Sequence, residues 1–176
     1  MPLKILILSK IRTISQKINH PTYVSGAAND WQIIKLSTPL DFNANVQPAC
    51  LPDSTDYMAS SIGDKCYVSG WGSTKHYGAQ GTQSSKLKFT EMITKSHYWC
   101  NEKSICASNP KGDTVCSGDS GGPFVCNVNG KAVSGGAVSF TETAAGSLCK
   151  VGGVSGYFRT AYVLDWVKQN MVSSND

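Results

Sequence analysis

The stretch "DTVCSGDSGGPF", residues 113–124, decides how this chain is read. Ser120 stands between Gly118, Asp119, Gly121 and Gly122, a setting that neither a helix nor a regular strand favours, because glycine weakens both. A loop of this kind can present a serine hydroxyl to a substrate. That hydroxyl is a weak nucleophile until a neighbouring base takes its proton. Residues 118–122 also fit G-x-S-x-G, the nucleophile elbow whose acid and histidine follow the serine in the chain. No histidine follows Ser120, so that class is excluded. A glycine-rich turn with an incidental serine is the plain alternative, and the segment alone leaves it open.

Length and composition narrow the surroundings. The 176 residues suit one sizeable core. Lys plus Arg exceed Asp plus Glu by 16 to 12, and the basic residues are scattered rather than striped, so neither nucleic acid nor a membrane surface is an expected partner. The longest early apolar run, "ILIL" at 5–8, is too short to span a membrane and weak as a secretory signal. Seven cysteines point to disulfides and an oxidising compartment. The chain has no C-x-x-C, and its three histidines, His20, His76 and His97, lack ligand spacing, so zinc is not expected.

Short β-prone runs bounded by Gly, Pro, Ser, Asn and Asp recur: "RTISQKI", "WQIIKL", "CYVSGWG", "SKLKFTEMI", "PFVCNV", "KAVSGGAVSF" and "SGYFRT". This spacing predicts an all-β barrel or sandwich. Only the tail departs: in "TAYVLDWVKQNMV", Val163, Leu164, Val167 and Met171 fall at helical spacings, which predicts a C-terminal helix with its apolar stripe on the β body. The Pro-containing segment from Pro39 to Asp64 is expected to be a long surface connection.

Three further segments, taken in order with part of the first, make the reading specific. "NDWQIIKLSTPL" at 29–40, "VQPACLP" at 46–52, "CYVSGWG" at 66–72 and "GDSGGP" at 118–123 together resemble the chymotrypsin/trypsin family of serine proteases, and the likeness runs from about Ile11 to Val172. The resemblance implies a chymotrypsin-like double antiparallel β-barrel whose second barrel is complete and whose first is partial. The whole chain, 1–176, is then one partial peptidase domain: 1–40 as a remnant of the first barrel, 41–64 as connection, 65–159 as the second barrel, 160–172 as the helix. It implies a polypeptide substrate, protein protease inhibitors as further partners, no cofactor, and a secreted, extracellular location.

By the same resemblance Ser120 is the nucleophile and Asp30 the buried acid that orients a histidine and stabilises its cation; these roles belong to the family's well-known triad. The amides of Gly118 and Ser120 form the oxyanion hole. Thr114, Ser139, Thr141 and Ser155 line the substrate-binding site, with Ser139 matching the serine that supports the triad acid. Trypsin-like members carry aspartate where this chain has Thr114; Asp113 is one residue out of step. Thr141 and Ser155 replace glycines of open pockets and narrow the space, which favours small or medium uncharged side chains. Cys66 is expected to pair with Cys126, Cys100 with Cys106, and Cys116 with Cys149.

The base is what the resemblance does not supply. No "AAHC"-like segment precedes Asp30, His20 matches a non-catalytic family position, and His76 and His97 read as surface or structural residues. The order Asp30, His76, Ser120 is that of subtilisin-like enzymes, but nothing around these residues resembles them. The "IVGG"-like start whose α-amine pairs with the aspartate at the Asp119 position is not recognised either, and residues 1–10 match no family segment. The expectation is an N-terminally incomplete chain, with Cys50 disulfide-linked to a segment upstream of Met1; a free Cys50 is the alternative. Two rival readings stay open: a catalytically inactive homologue that binds or regulates, and a non-functional fragment.

Overall fold

A computed structural model describes residues 4–7, 10–24, 29–57, 62–74 and 83–172. The chain divides into two compact units, Ala49–Asp165 and the pair Met1–Pro48 with Trp166–Asp176.

The larger unit is a closed antiparallel barrel of six strands. They are β4 (Lys65–Gly70), β5 (Lys88–Lys95), β6 (Ser104–Ser108), β7 (Pro123–Val128), β8 (Lys131–Thr141) and β9 (Ser155–Arg159), arranged in the order β4-β5-β6-β9-β8-β7 and closed by β4 against β7. Closure leaves no strand edge, and alternate residues of each strand turn inward to fill the interior. In β4 these are Cys66 and Val68, in β7 Phe124 and Cys126, in β5 Met92 and Thr94, while Tyr67 between the β4 pair faces out at 43% exposure. Phe124 and Tyr157 stack at 3.9 Å in the middle of this core. Thr94 is buried without penalty because its Oγ1 accepts the Asp64 amide at 2.9 Å.

Strand β6, "SICAS", was not among the runs legible from sequence. It is short and has no alternating signal, since Ile105, Cys106 and Ala107 are all buried, Cys106 within a disulfide. Strand β8 is long because it bends: Gly135 and Ser139 are skipped in its registers with β7 and β9. Such bulges kink a strand and re-aim its side chains.

The smaller unit holds β1 (Lys4–Ile7), β2 (Lys10–Asn19) and β3 (Gln32–Leu36) as an antiparallel meander. Strand β1 falls in the ten residues that matched nothing in the sequence reading. None of the described side chains of β2 or β3 is buried. Ile11 is 55% exposed and Ile34 36% exposed. The connection from 37 to 64 contains no strand among its described residues, only bridges such as Cys50 with Val133.

The tail begins as a 3-10 turn over Thr160–Val163 and continues as helix α1, Leu164–Val172. Its apolar stripe is buried at Val163 and Leu164 but not at Met171, which is 55% exposed. Burial along the expected stripe therefore falls off along the helix, with Val167 half-buried between them.

Candidate active site

Ser120 lies on the loop between Cys116 and β7. The loop is two successive tight turns, Asp119 N–H to Cys116 O at 3.0 Å and Gly122 N–H to Asp119 O at 2.9 Å. Gly118 and Gly121 hold φ values of 96° and 77°, the left-handed region that a side chain resists. Gly121 N–H donates to Val138 O and Val138 N–H to Gly122 O, which staple the loop to β8. Ser120 is left exposed at the tip. The amides of Gly118 and Ser120 have no acceptor among the described residues, so two donors at adjacent turns are free for a ligand oxygen.

Asp119 turns the opposite way and locks the loop. Its Oδ1 accepts the Gly72 amide at 2.8 Å and its Oδ2 the Cys116 amide at 3.0 Å. The carboxylate is so close to β4 that a Cβ on Gly70 would stand 2.0 Å from Oδ1, and one on Gly72 2.4 Å from Cγ. This contact is the physical link between "CYVSGWG" and "GDSGGP", two segments that sequence reading can only set side by side.

A cleft of about 280 Å³ opens beside Asp119, lined by Gly70, Gly72, Thr90, Asp113 and Val115 among others. Asp113 Oδ2 accepts the Thr90 hydroxyl at 2.7 Å, and the buried Asn109 anchors the pair by donating to Thr90 Oγ1 and Glu91 O. Thr114 points to the other side of its segment: its Oγ1 lies 3.0 Å from Thr141 Oγ1 and 3.1 Å from Ser155 Oγ. Asp113 and Thr114 both line the cleft, and their side-chain oxygens engage different partners. Ser139 is the bulge residue of β8, one position before Phe140.

Cys66–Cys126, Cys100–Cys106 and Cys116–Cys149 lie at disulfide distance. The third ties the Ser120 loop to the 142–154 loop. That loop is closed by Glu142, which accepts from Lys150 Nζ and from the Val154 amide; the lysine first and the amide second hold its carboxyl below the ordinary value. Cys50 is exposed and free.

In the smaller unit Asp30 follows Asn29, whose φ is 53° and whose Nδ2 donates to Thr22 Oγ1 at 2.8 Å. The buried acid expected from sequence is corrected here: Asp30 is exposed and its carboxylate has no hydrogen bond among the described residues. His20 packs against Trp166 with the rings tilted and 4.9 Å apart, and takes a contact from Thr22 Oγ1 at 3.2 Å on Nδ1. His97 packs on Tyr98 and Trp99. His76 lies outside the described residues. Sequence reading passed over the aromatic row His97, Tyr98, Trp99 and Phe140, which continues along the larger unit with Trp99 edge-on to Phe140 at 6.3 Å; the signal was the run "HYW" beside Cys100.

A closed antiparallel barrel joined to a three-stranded meander and ended by a short helix defines the class as the chymotrypsin-like fold. It aligns with mouse brain neuropsin, a serine protease expressed in the limbic system, at a TM-score of 0.75 and 24% identity over 92% of this chain and 72% of that one. The trypsin family profile matches residues 9–167, and the chain belongs to the trypsin family. Phenoloxidase-activating factor 3 of Holotrichia diomphalia is 35% identical over 167 residues, 87% of this chain. The chain spans about half, 46%, of that relative's length.

Proposed function

We propose that the chain is the nucleophile-bearing part of a serine endopeptidase, secreted into an oxidising environment. Ser120 attacks the scissile carbonyl and forms an acyl-enzyme, which water then hydrolyses. An imidazole takes the Ser120 proton and returns it to the leaving amine, and Asp30 orients that imidazole. The amides of Gly118 and Ser120 hold the developing oxyanion, a contribution of roughly 3 kcal/mol per donor in this kind of site. The observation that carries the reading is the pair of acceptor-free amides beside an exposed serine on a loop locked by Asp119. His20 and His97 are engaged in ring packing and the surroundings of His76 do not resemble a catalytic segment, so the imidazole is assigned to none of the three. The name of the Holotrichia relative assigns that protein to phenoloxidase activation, and by likeness the substrate class proposed is a folded protein cut at a limited site.

The exposure of Asp30 favours a second reading, an inactive homologue that binds polypeptide through the same groove. Hydrolysis of a protein substrate by the full-length natural product separates the two. Turnover that vanishes in Ser120→Ala supports the peptidase; no turnover in either supports the binding protein.

A further inference from the structure

Val128 and Lys131 face each other at the end of the β7–β8 pair, with only Asn129 and Gly130 between them. Both turn residues lie in the left-handed region, at φ values of 50° and 80°. This is the type I′ hairpin turn, whose twist matches that of the paired strands. Asparagine is among the few residues with a side chain that tolerate such a backbone. The two residues are also the chain's one Asn-Gly pair, and both are exposed. A Cβ on Gly130 would meet nothing within 4 Å, so the space around its nitrogen is open and no side chain of its own screens it. The Gly130 amide donates to Asn127 Oδ1 at 2.9 Å.

We propose that Asn129 is a covalent modification site, converted to aspartate and isoaspartate through a cyclic imide, and that Asn127 is the residue that restrains the conversion. Hydroxide takes the Gly130 amide proton, and the nitrogen attacks Asn129 Cγ. The N–Cγ bond forms, the Cγ–Nδ2 bond breaks, and Nδ2 leaves as ammonia with a proton from water. A second water then opens the imide: attack at Cγ restores the main chain and leaves aspartate, whereas attack at the main-chain carbonyl carbon leaves Gly130 joined through Cγ as isoaspartate. Nothing is oxidised or reduced. A five-membered ring is nearly flat, so the Gly130 nitrogen has to reach the side of the Asn129 Cα–C bond on which Cβ stands. A type I′ turn, the mirror image of type I, holds ψ of its first central residue near about 30° and keeps the two on opposite sides. The turn must therefore open before the ring closes, and opening breaks the bond from Gly130 N–H to Asn127 Oδ1. Isoaspartate adds a carbon to the main chain, so the two-residue connection no longer holds Val128 opposite Lys131. This chemistry needs neither Ser120 nor its base, and none of these residues lines the cleft.

The test incubates the 176-residue chain, Asn127→Ala and Asn127→Asp in mildly alkaline buffer, with thermal melts to show that each is folded. Peptide mapping that separates aspartate from isoaspartate follows position 129 over time. The wild-type chain, reduced and unfolded in urea, sets the unrestrained rate. A neutral hydrogen bond contributes about 1 kcal/mol, so Asn127→Ala should convert about fivefold faster than the folded wild type. Asn127→Asp keeps an acceptor in the same place and should stay near the wild-type rate, and the folded wild type should convert more slowly than the unfolded chain. Asn127→Ala converting no faster than wild type, or Asn127→Asp converting as fast as Asn127→Ala, overturns the restraint by Asn127. Asn129 left intact in folded Asn127→Ala after the unfolded chain has fully converted overturns the site itself.

Discussion

Replacing Gly70 with alanine puts a methyl carbon 2.0 Å from Asp119 Oδ1 and 3.0 Å from its Cγ. Ordinary contact lies beyond 3.4 Å, so the carboxylate has to move by more than an ångström. That movement breaks the hydrogen bonds from the Gly72 and Cys116 amides. Bonds to a charged group contribute about 1.5–3 kcal/mol each. Asp119 is only partly buried, and water recovers part of the loss, which leaves a cost of roughly 3 kcal/mol. With a urea slope of about 1–3 kcal/mol/M for a unit of this size, the unfolding midpoint should fall by about one to three molar, with disulfides kept oxidised. The companion variant Asp119→Ala removes the obstructing atoms. In that background Gly70→Ala should cost under about 1 kcal/mol, giving a coupling energy near 2 kcal/mol. Equal costs in the two backgrounds would refute the idea that the Gly70 and Asp119 motifs are joined by this contact.

Other consequences follow from buried or paired groups. The Tyr157 hydroxyl is buried beside the Ser155 hydroxyl without a hydrogen bond of good geometry, and burial is the main cause that raises its pKa; Tyr157→Phe should change stability by under about 1 kcal/mol. A folded tyrosine pKa above the unfolded 10.0 means stability is full below pH 10.0 and lost as pH rises beyond it, so the phenylalanine variant should also flatten the alkaline limb of the melting curve. Glu142 behaves oppositely: its folded pKa is lowered, first by Lys150, so its contribution is present above pH 4.5 and fades as pH falls through the folded value. Glu142→Gln should therefore melt earlier than wild type at pH 7 and converge with it in acid. Cys116 and Cys149 are separated by 33 residues, and converting both to serine should cost roughly 3–4 kcal/mol by loop entropy, read as a lower urea midpoint.

The barrel was legible because its strands are bounded by turn residues and alternate clearly, as in Cys66, Tyr67 and Val68. Strand β6 was not, because three consecutive buried residues erase alternation. The Ser120 loop could be read from its glycines, whose positive φ values leave a mark in composition. The meeting of the Thr114, Thr141 and Ser155 hydroxyls could not, because it depends on which oxygens come together across strands. Burial of Asp30 was expected from the family resemblance. It failed because burial depends on a second layer, and β2 and β3 have none of their described side chains enclosed.

The central claim is that Ser120 is a nucleophile whose base is none of the chain's three histidines. The direct measurement is the rate at which a fluorophosphonate labels the 176-residue chain, with the modified residue mapped by mass spectrometry, in the absence and presence of added imidazole. The account predicts slow labelling without imidazole and a marked acceleration at Ser120 with it, abolished by Ser120→Ala. Rapid labelling of Ser120 that imidazole does not change would contradict the claim, because the chain would then already hold its base.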